Sequence, residues 1–150
     1  MRLKIPPPAL VILSILLMKA LDWSFPLGRF QFQGQTLVAM LVVACGVILA
    51  VAALYVFRKA KTTTDPMHPE KASQIVTNGP YRFSRNPMYL SILLVLIGVV
   101  ISIGNWLNIL ILVFFYAYIT RFQIIPEEEV LRDKFESSFT EYCTKVRRWI

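Results

Sequence analysis

Long stretches of this sequence have no charge at all. Residues 30–57 contain no Asp, Glu, Lys or Arg, and neither do residues 86–120. Only 17% of the 150 residues are charged, while 56% are hydrophobic; ordinary soluble domains carry about 25% and ~45–50%. An uncharged, mostly apolar run of 18 or more residues reads as a membrane helix. A chain this short has no core large enough to surround two such runs, which excludes a soluble globule. Histidine is nearly missing too. His68 stands alone, between Pro66 and Pro69, in what reads as an exposed loop. The two cysteines, Cys45 in mid-span and Cys143 near the C-terminus, have neither CxxC nor metal-ligand spacing. One His and two distant Cys exclude a metal site. No basic module interleaved with aromatics is present, so no nucleic-acid partner is expected. The first run, after Met1-Arg2-Leu3-Lys4, resembles a signal peptide. However, Pro6, Pro7 and Pro8 interrupt its start and no small-x-small cleavage site follows, so it is expected to be a retained helix.

What is present is a set of apolar segments with polar punctuation. Helices are expected at about 8–21, 35–57, 87–103 and 106–124. As one helix, residues 86–120 would be about 52 Å long, well beyond a ~30 Å hydrocarbon core. The run must therefore double back, and Gly104-Asn105 is the turn. Pro126 then begins a tail helix, 126–145. Glu127, Glu128 and Glu129 fill its first turn, where the helix dipole favours carboxylates. Val130, Leu131, Phe135, Phe139 and Tyr142 follow at helical spacing. The expected fold is thus an all-α integral membrane protein. It forms a single membrane domain over 1–150, with about four transmembrane helices plus a C-terminal cytoplasmic amphipathic helix.

The excess of 16 Lys and Arg over 9 Asp and Glu, a net +7, reads as topology. The connection 58–86 holds Arg58, Lys59, Lys61, Lys71, Arg82 and Arg85. The tail holds Arg121, Arg132, Lys134, Lys145, Arg147 and Arg148, and the N-terminus Arg2 and Lys4. The other side has only Lys19 and Arg29. By the positive-inside rule both termini and the 58–86 connection are cytoplasmic. The lipid bilayer is the expected partner.

The hairpin brings two polar clusters to one face. The first runs from Thr77 through Gly79-Pro80-Tyr81-Arg82 and Arg85-Asn86-Pro87-Met88-Tyr89. Gly79-Pro80 makes a turn, Pro87 opens a helix and Asn86 is its N-cap. Free N–H groups there, together with Arg82 and Arg85, suit an anion. The second cluster is Glu127-Glu128-Glu129, carboxylates that suit a cation. Each residue alone also has a structural reading, as topology anchor, helix cap or dipole partner.

Taken together, these residues resemble the isoprenylcysteine carboxyl methyltransferase family and its phospholipid methyltransferase relatives. The matching blocks are Gly79-Pro80-Tyr81-Arg82, Arg85-Asn86-Pro87-Met88-Tyr89, and Glu127-Glu128-Glu129-Val130-Leu131. Phe135, Phe139, Tyr142 and Val146-Arg147-Arg148-Trp149-Ile150 follow. The likeness covers roughly 62–150. Asn86 stands where the family has His, which removes a group that titrates near neutrality. Glu136 stands where it has Gly.

The resemblance implies an S-adenosylmethionine-dependent methyltransferase acting on a lipophilic small molecule or lipidated substrate that enters from the bilayer. Carboxyl O-methylation of the isoprenylcysteine type is the first expectation and phospholipid or other lipophilic-amine N-methylation the alternative. Gly79, Pro80, Tyr81, Arg85, Asn86, Pro87, Tyr89, Glu127 and Glu128 are the implied cofactor-binding positions, with Arg85 pairing the donor's carboxylate. Glu128, Arg132 and Lys134 are the catalytic candidates, the two cations orienting an anionic acceptor. An NADPH-dependent sterol reductase-like protein or a non-catalytic membrane adaptor on the same scaffold are the competing classes.

Overall fold

The computed structural model describes residues 5–60 and 73–150. Met1-Arg2-Leu3-Lys4, Lys61, His68 and Lys71 lie outside them. The described chain is helical throughout and has no strand beyond an isolated bridge between Arg29 and Asn105. Helix α1 runs Pro7–Ser24, α2 Gln35–Lys59, α3 Pro87–Ile103, α4 Ile109–Ile119 and α5 Ile125–Lys145. Three helical stretches are long and apolar enough to cross a membrane: α1, α2 and the continuous rod from Trp106 to Lys145. At 17 residues α3 is shorter, about 25 Å. Its mostly apolar sequence and its place between the others make it part of the same bundle.

α3 is the central element. α2 lies along it through a stripe of small residues, Ala39, Gly46 and Ala53, all buried and seven apart. At Gly98 of α3 a Cβ would stand 2.5 Å from Val43 Cγ2 and 3.0 Å from the Ala39 carbonyl oxygen. The two backbones approach as closely as glycine permits, and in a bilayer that contact is what holds helices together. α1 buries Pro7, Leu10, Ser14 and Met18, one face at helical spacing. It packs against α3 and α4. Leu10, Met18, Tyr89, Leu96, Val100, Phe115, Ile119 and Ile124 form the shared core. α1 and α2 both rest on α3 yet barely touch each other.

The hairpin turns where expected. Gly104 has φ +72 and closes α3, its N–H donating to the Val100 carbonyl at 3.0 Å; the left-handed position favours glycine. A polar clasp holds this end. The Asn105 amide donates to Asp22 Oδ1 at 3.0 Å and to the Phe25 carbonyl at 3.1 Å, while Arg29 pairs with Asp22 at 2.8 Å. The α1–α2 connection and the α3–α4 turn are thereby both tied to one carboxylate of α1.

Two expectations need correction. α1 is longer than 8–21. The expected break between helix four and the tail at Pro126 does not occur either. The chain continues from α4 through one wide π turn, Thr120–Ile124, straight into α5. Pro126 has no N–H for the carbonyl four residues back, and a widened turn is a common way for a helix to absorb such a defect. The rod breaks later, at Glu136, whose φ of 44 and ψ of −113 are non-helical. Without that break the 40 residues from Trp106 to Lys145 would make a helix about 60 Å long, twice a hydrocarbon core. Its uncharged part ends at Thr120, which leaves α5 outside the span.

Candidate active site

At the Pro87 end of the bundle lies a cavity of about 720 Å³. Its polar end is formed by the turn before α3 and by α5. Gly79–Arg82 is a tight turn in which Gly79 takes φ +58 and Tyr81 is buried. Tyr81, Arg85, Asn86, Tyr89, Glu127, Glu128 and Tyr142 all line the cavity. Most of the rest is apolar, contributed by Pro8, Val11 and Ile12 of α1, Ala50, Leu54 and Phe57 of α2, and Met88 and Ile92 of α3, with Gln74 and Ser91 among them. Because α1 and α2 stand apart, this half opens between them. The two polar clusters of the sequence therefore do meet.

The two neighbouring carboxylates have different surroundings. Glu128 sits between two guanidiniums. Arg85 donates to its Oε1 from Nε at 3.2 Å and from Nη2 at 2.9 Å, and Arg148 Nη2 donates to Oε2 at 2.7 Å. Arg85 and Glu128 side chains are only 12% and 8% exposed. Burial works to raise the Glu128 pKa, but the hydrogen bonds and charges of Arg148 and Arg85 outweigh it and hold the carboxyl below its ordinary value. Glu127 instead receives the Tyr89 hydroxyl at 2.6 Å and the Gln123 amide, both on Oε1. Burial, only partly offset by those two hydrogen bonds, pushes its carboxyl up to about 7.

Arg85 has little capacity left. Besides Glu128 it donates from Nη1 to the carbonyls of Cys143 and Val146, at 3.2 and 3.0 Å. Asn86 precedes α3 but makes no side-chain cap. Its Nδ2 donates to the Arg148 carbonyl at 3.0 Å, and its N–H to Ser84 Oγ at 3.1 Å. The N-cap expectation for its side chain is thus corrected, because residues 146–149 return across this turn and offer a carbonyl. Pro87 is buried in the first turn of α3. Tyr142 donates to the Tyr81 carbonyl at 2.6 Å.

Arg132 and Lys134 stand apart from this arrangement. Both are exposed and neither lines the cavity; Lys134 lies over the Phe135 ring, 5.9 Å from its centroid. Gly79 and Pro80 shape the turn without lining the cavity. Three participants escaped the sequence reading. Gln123 lies one helical turn before Glu127, a spacing that could have been noticed. Ser84 gave no signal. Arg148 belonged to the quoted ending, but nothing in the order of residues paired it with Glu128.

A family model described as phospholipid methyltransferase matches residues 35–138. An uncharacterized protein of Haemophilus influenzae is 43% identical over 63 residues, which is 42% of this chain and the whole of the relative. No solved structure matches.

Proposed function

The chain belongs to the phospholipid methyltransferase family, and on that premise we propose that it is an S-adenosylmethionine-dependent methyltransferase whose acceptor is a lipophilic amine. A cavity of this volume falls within the ~300–1,000 Å³ range of cofactor sites. The chemistry of its lining suits the donor. Carboxylate and phenol groups gather at one end, and the aromatic faces of Tyr81, Phe139 and Tyr142 suit a cation and a planar base. When bound, the donor supplies a methyl group on a positively charged sulfur. Glu127, Tyr89 and Tyr81 would hold it, and Arg85 and Glu128 would keep the frame rigid. The apolar half of the cavity, opening between α1 and α2, would take the acceptor's hydrocarbon from the bilayer. The charge distribution of the sequence supports a cytoplasmic polar end.

The observation that carries the acceptor class is the unequal pairing of the two carboxylates. Among the described residues that line the cavity, Arg85 is the one cation, and its guanidinium is committed to Glu128 and two carbonyls. An acidic acceptor finds no guanidinium to meet it. A protonated amine finds Glu127, whose Oε2 is free of the Tyr89 and Gln123 donors. Glu127 would take the ammonium proton, freeing the nitrogen lone pair to bond the methyl carbon in line as the sulfur–methyl bond breaks and its electron pair stays on the sulfur. A base with a pKa near the working pH is the efficient choice for that step. Carboxyl O-methylation remains the second reading, favoured by the resemblance of the Arg85–Tyr89 block; it needs no base.

Transfer of a labelled methyl group from S-adenosylmethionine tests the proposal. The panel offered to the purified protein would hold lipid amines and prenylated thiol acids. Labelled lipid amine is expected. Labelled methyl ester in its place would overturn the amine reading, and no transfer to either class would overturn the enzyme.

A further inference from the structure

We propose that residues 137–148 form a hinged cover over the polar end of the cavity. Glu136 is the hinge, and Arg148 is the latch. Arg148 is a positioning residue that sets Arg85 through Glu128 and Asn86 through its own carbonyl. α5 is two helices joined at one residue. Glu136 has φ 44 and ψ −113 and is the one non-glycine described with positive φ. L residues with a Cβ adopt such backbone angles only under strain, of order 1–3 kcal/mol. The half before the break carries Glu127, Glu128 and Leu131; the half after it carries Phe139 and Tyr142. Both halves line the same cavity.

The second half is fastened by polar bonds along one narrow strip and, at its far end, by Trp149, which packs against the core and lies 4.9 Å from the Tyr116 ring; the part that swings is 137–148. Arg85 N–H donates to the Arg147 carbonyl at 3.0 Å, Asn86 Nδ2 to the Arg148 carbonyl at 3.0 Å, and Tyr142 to the Tyr81 carbonyl at 2.6 Å. The Arg148 side chain closes the set on Glu128 and is 38% exposed, so water reaches it. Polar bonds gathered on Tyr81–Asn86 can be exchanged for water together, unlike an interdigitated apolar seam. The geometry also requires an entrance. The apolar half of the cavity faces lipid, which a charged, water-soluble ligand does not cross. Among the described residues Phe139 and Tyr142 of the cover line the polar end, and moving them aside would admit such a ligand. The inference rests on the proposed donor only for the identity of what enters.

Cys143 lies in the cover and is partly buried, so its labelling rate reports opening. The full-length protein carrying Cys45→Ser, in lipid nanodiscs, is treated with a water-soluble maleimide. Arg148→Ala removes the latch and should speed labelling of Cys143 roughly tenfold, the scale of lost hydrogen bonds to a charge. Glu136→Gly relieves the closed hinge and should slow it roughly fivefold. Labelling unchanged in both variants, or shifted the other way, overturns the cover. If Arg148→Ala does not fold, Glu136→Gly alone decides. S-adenosylhomocysteine is then added to the parent protein. Protection of Cys143 supports the donor. Opposed shifts without protection would sink the donor reading and leave the cover standing, while protection without the shifts would do the reverse.

Discussion

At the scale of single residues, two adjacent carboxylates are assigned to different work by what surrounds them. Burial pushes the Glu127 carboxyl up to about 7, against the hydrogen bonds from Tyr89 and Gln123 that lower it. Below that pH it is protonated and cannot accept a proton from an ammonium group. Activity on an amine should therefore rise as pH climbs through about 7. Glu127→Gln should lower the rate roughly 10²- to 10⁴-fold, the usual contribution of a general base, and flatten the profile. Initial rates between pH 5.5 and 8.5 check this; an unchanged profile in the variant would remove Glu127 from the reaction. Glu128→Ala should act on the fold, because it strands the buried Arg85 charge. A loss of about 3 kcal/mol is expected, read as a lowered midpoint of thermal unfolding in detergent. The sequence exposed both carboxylates and Arg85, and even flagged Asn86. It could not show that Glu128 and Arg85 neutralise each other, because 43 residues and a membrane hairpin separate them. For the same reason Arg132 and Lys134 read as catalytic candidates and Arg148 did not, although Arg148 is the one that meets Glu128.

At the scale of elements, local rules located the ends of helices well and their continuity poorly. Gly104 and Pro87 are residues with a fixed conformational preference, so the turn and the start of α3 were legible. The rod joining α4 to α5 was not, since a widened turn before Pro126 leaves no mark in the residue types. The break at Glu136 left only a faint one, a glutamate where the family resemblance implies glycine. Replacing it by glycine should raise stability by about 1 kcal/mol; a fall on Glu136→Gly would mean that the backbone there is unstrained. The α2–α3 seam allows the opposite test. Gly98→Leu drives a side chain into Val43 and the Ala39 carbonyl, and overpacking of this kind costs about 1–3 kcal/mol. Gly98→Leu should therefore unfold at lower temperature, whereas leucine at exposed Cys45 on the same pair of helices should not. Equal melting of the two variants would remove close backbone approach from the account.

For the molecule as a whole, membrane character and the meeting of the two polar clusters follow from patterning alone. Two long uncharged stretches require spans, and one of them is too long not to fold back. Sidedness rests on the Lys and Arg count and is open to direct test. In a Cys45→Ser, Cys143→Ser background, a cysteine at Trp106 and one at Lys145 should react with an impermeant thiol reagent from opposite sides of sealed vesicles. Reaction from the same side would break the hairpin topology on which the site depends.

The separation of α1 from α2 has one more consequence. Among the described residues α1 and α2 barely touch along that line, and hydrocarbon lying alongside would complete the proposed reaction chamber. A shorter or stiffer acyl environment would then alter the enclosure itself, and the proposed catalytic competence would belong jointly to the polypeptide and to the composition of its host leaflet.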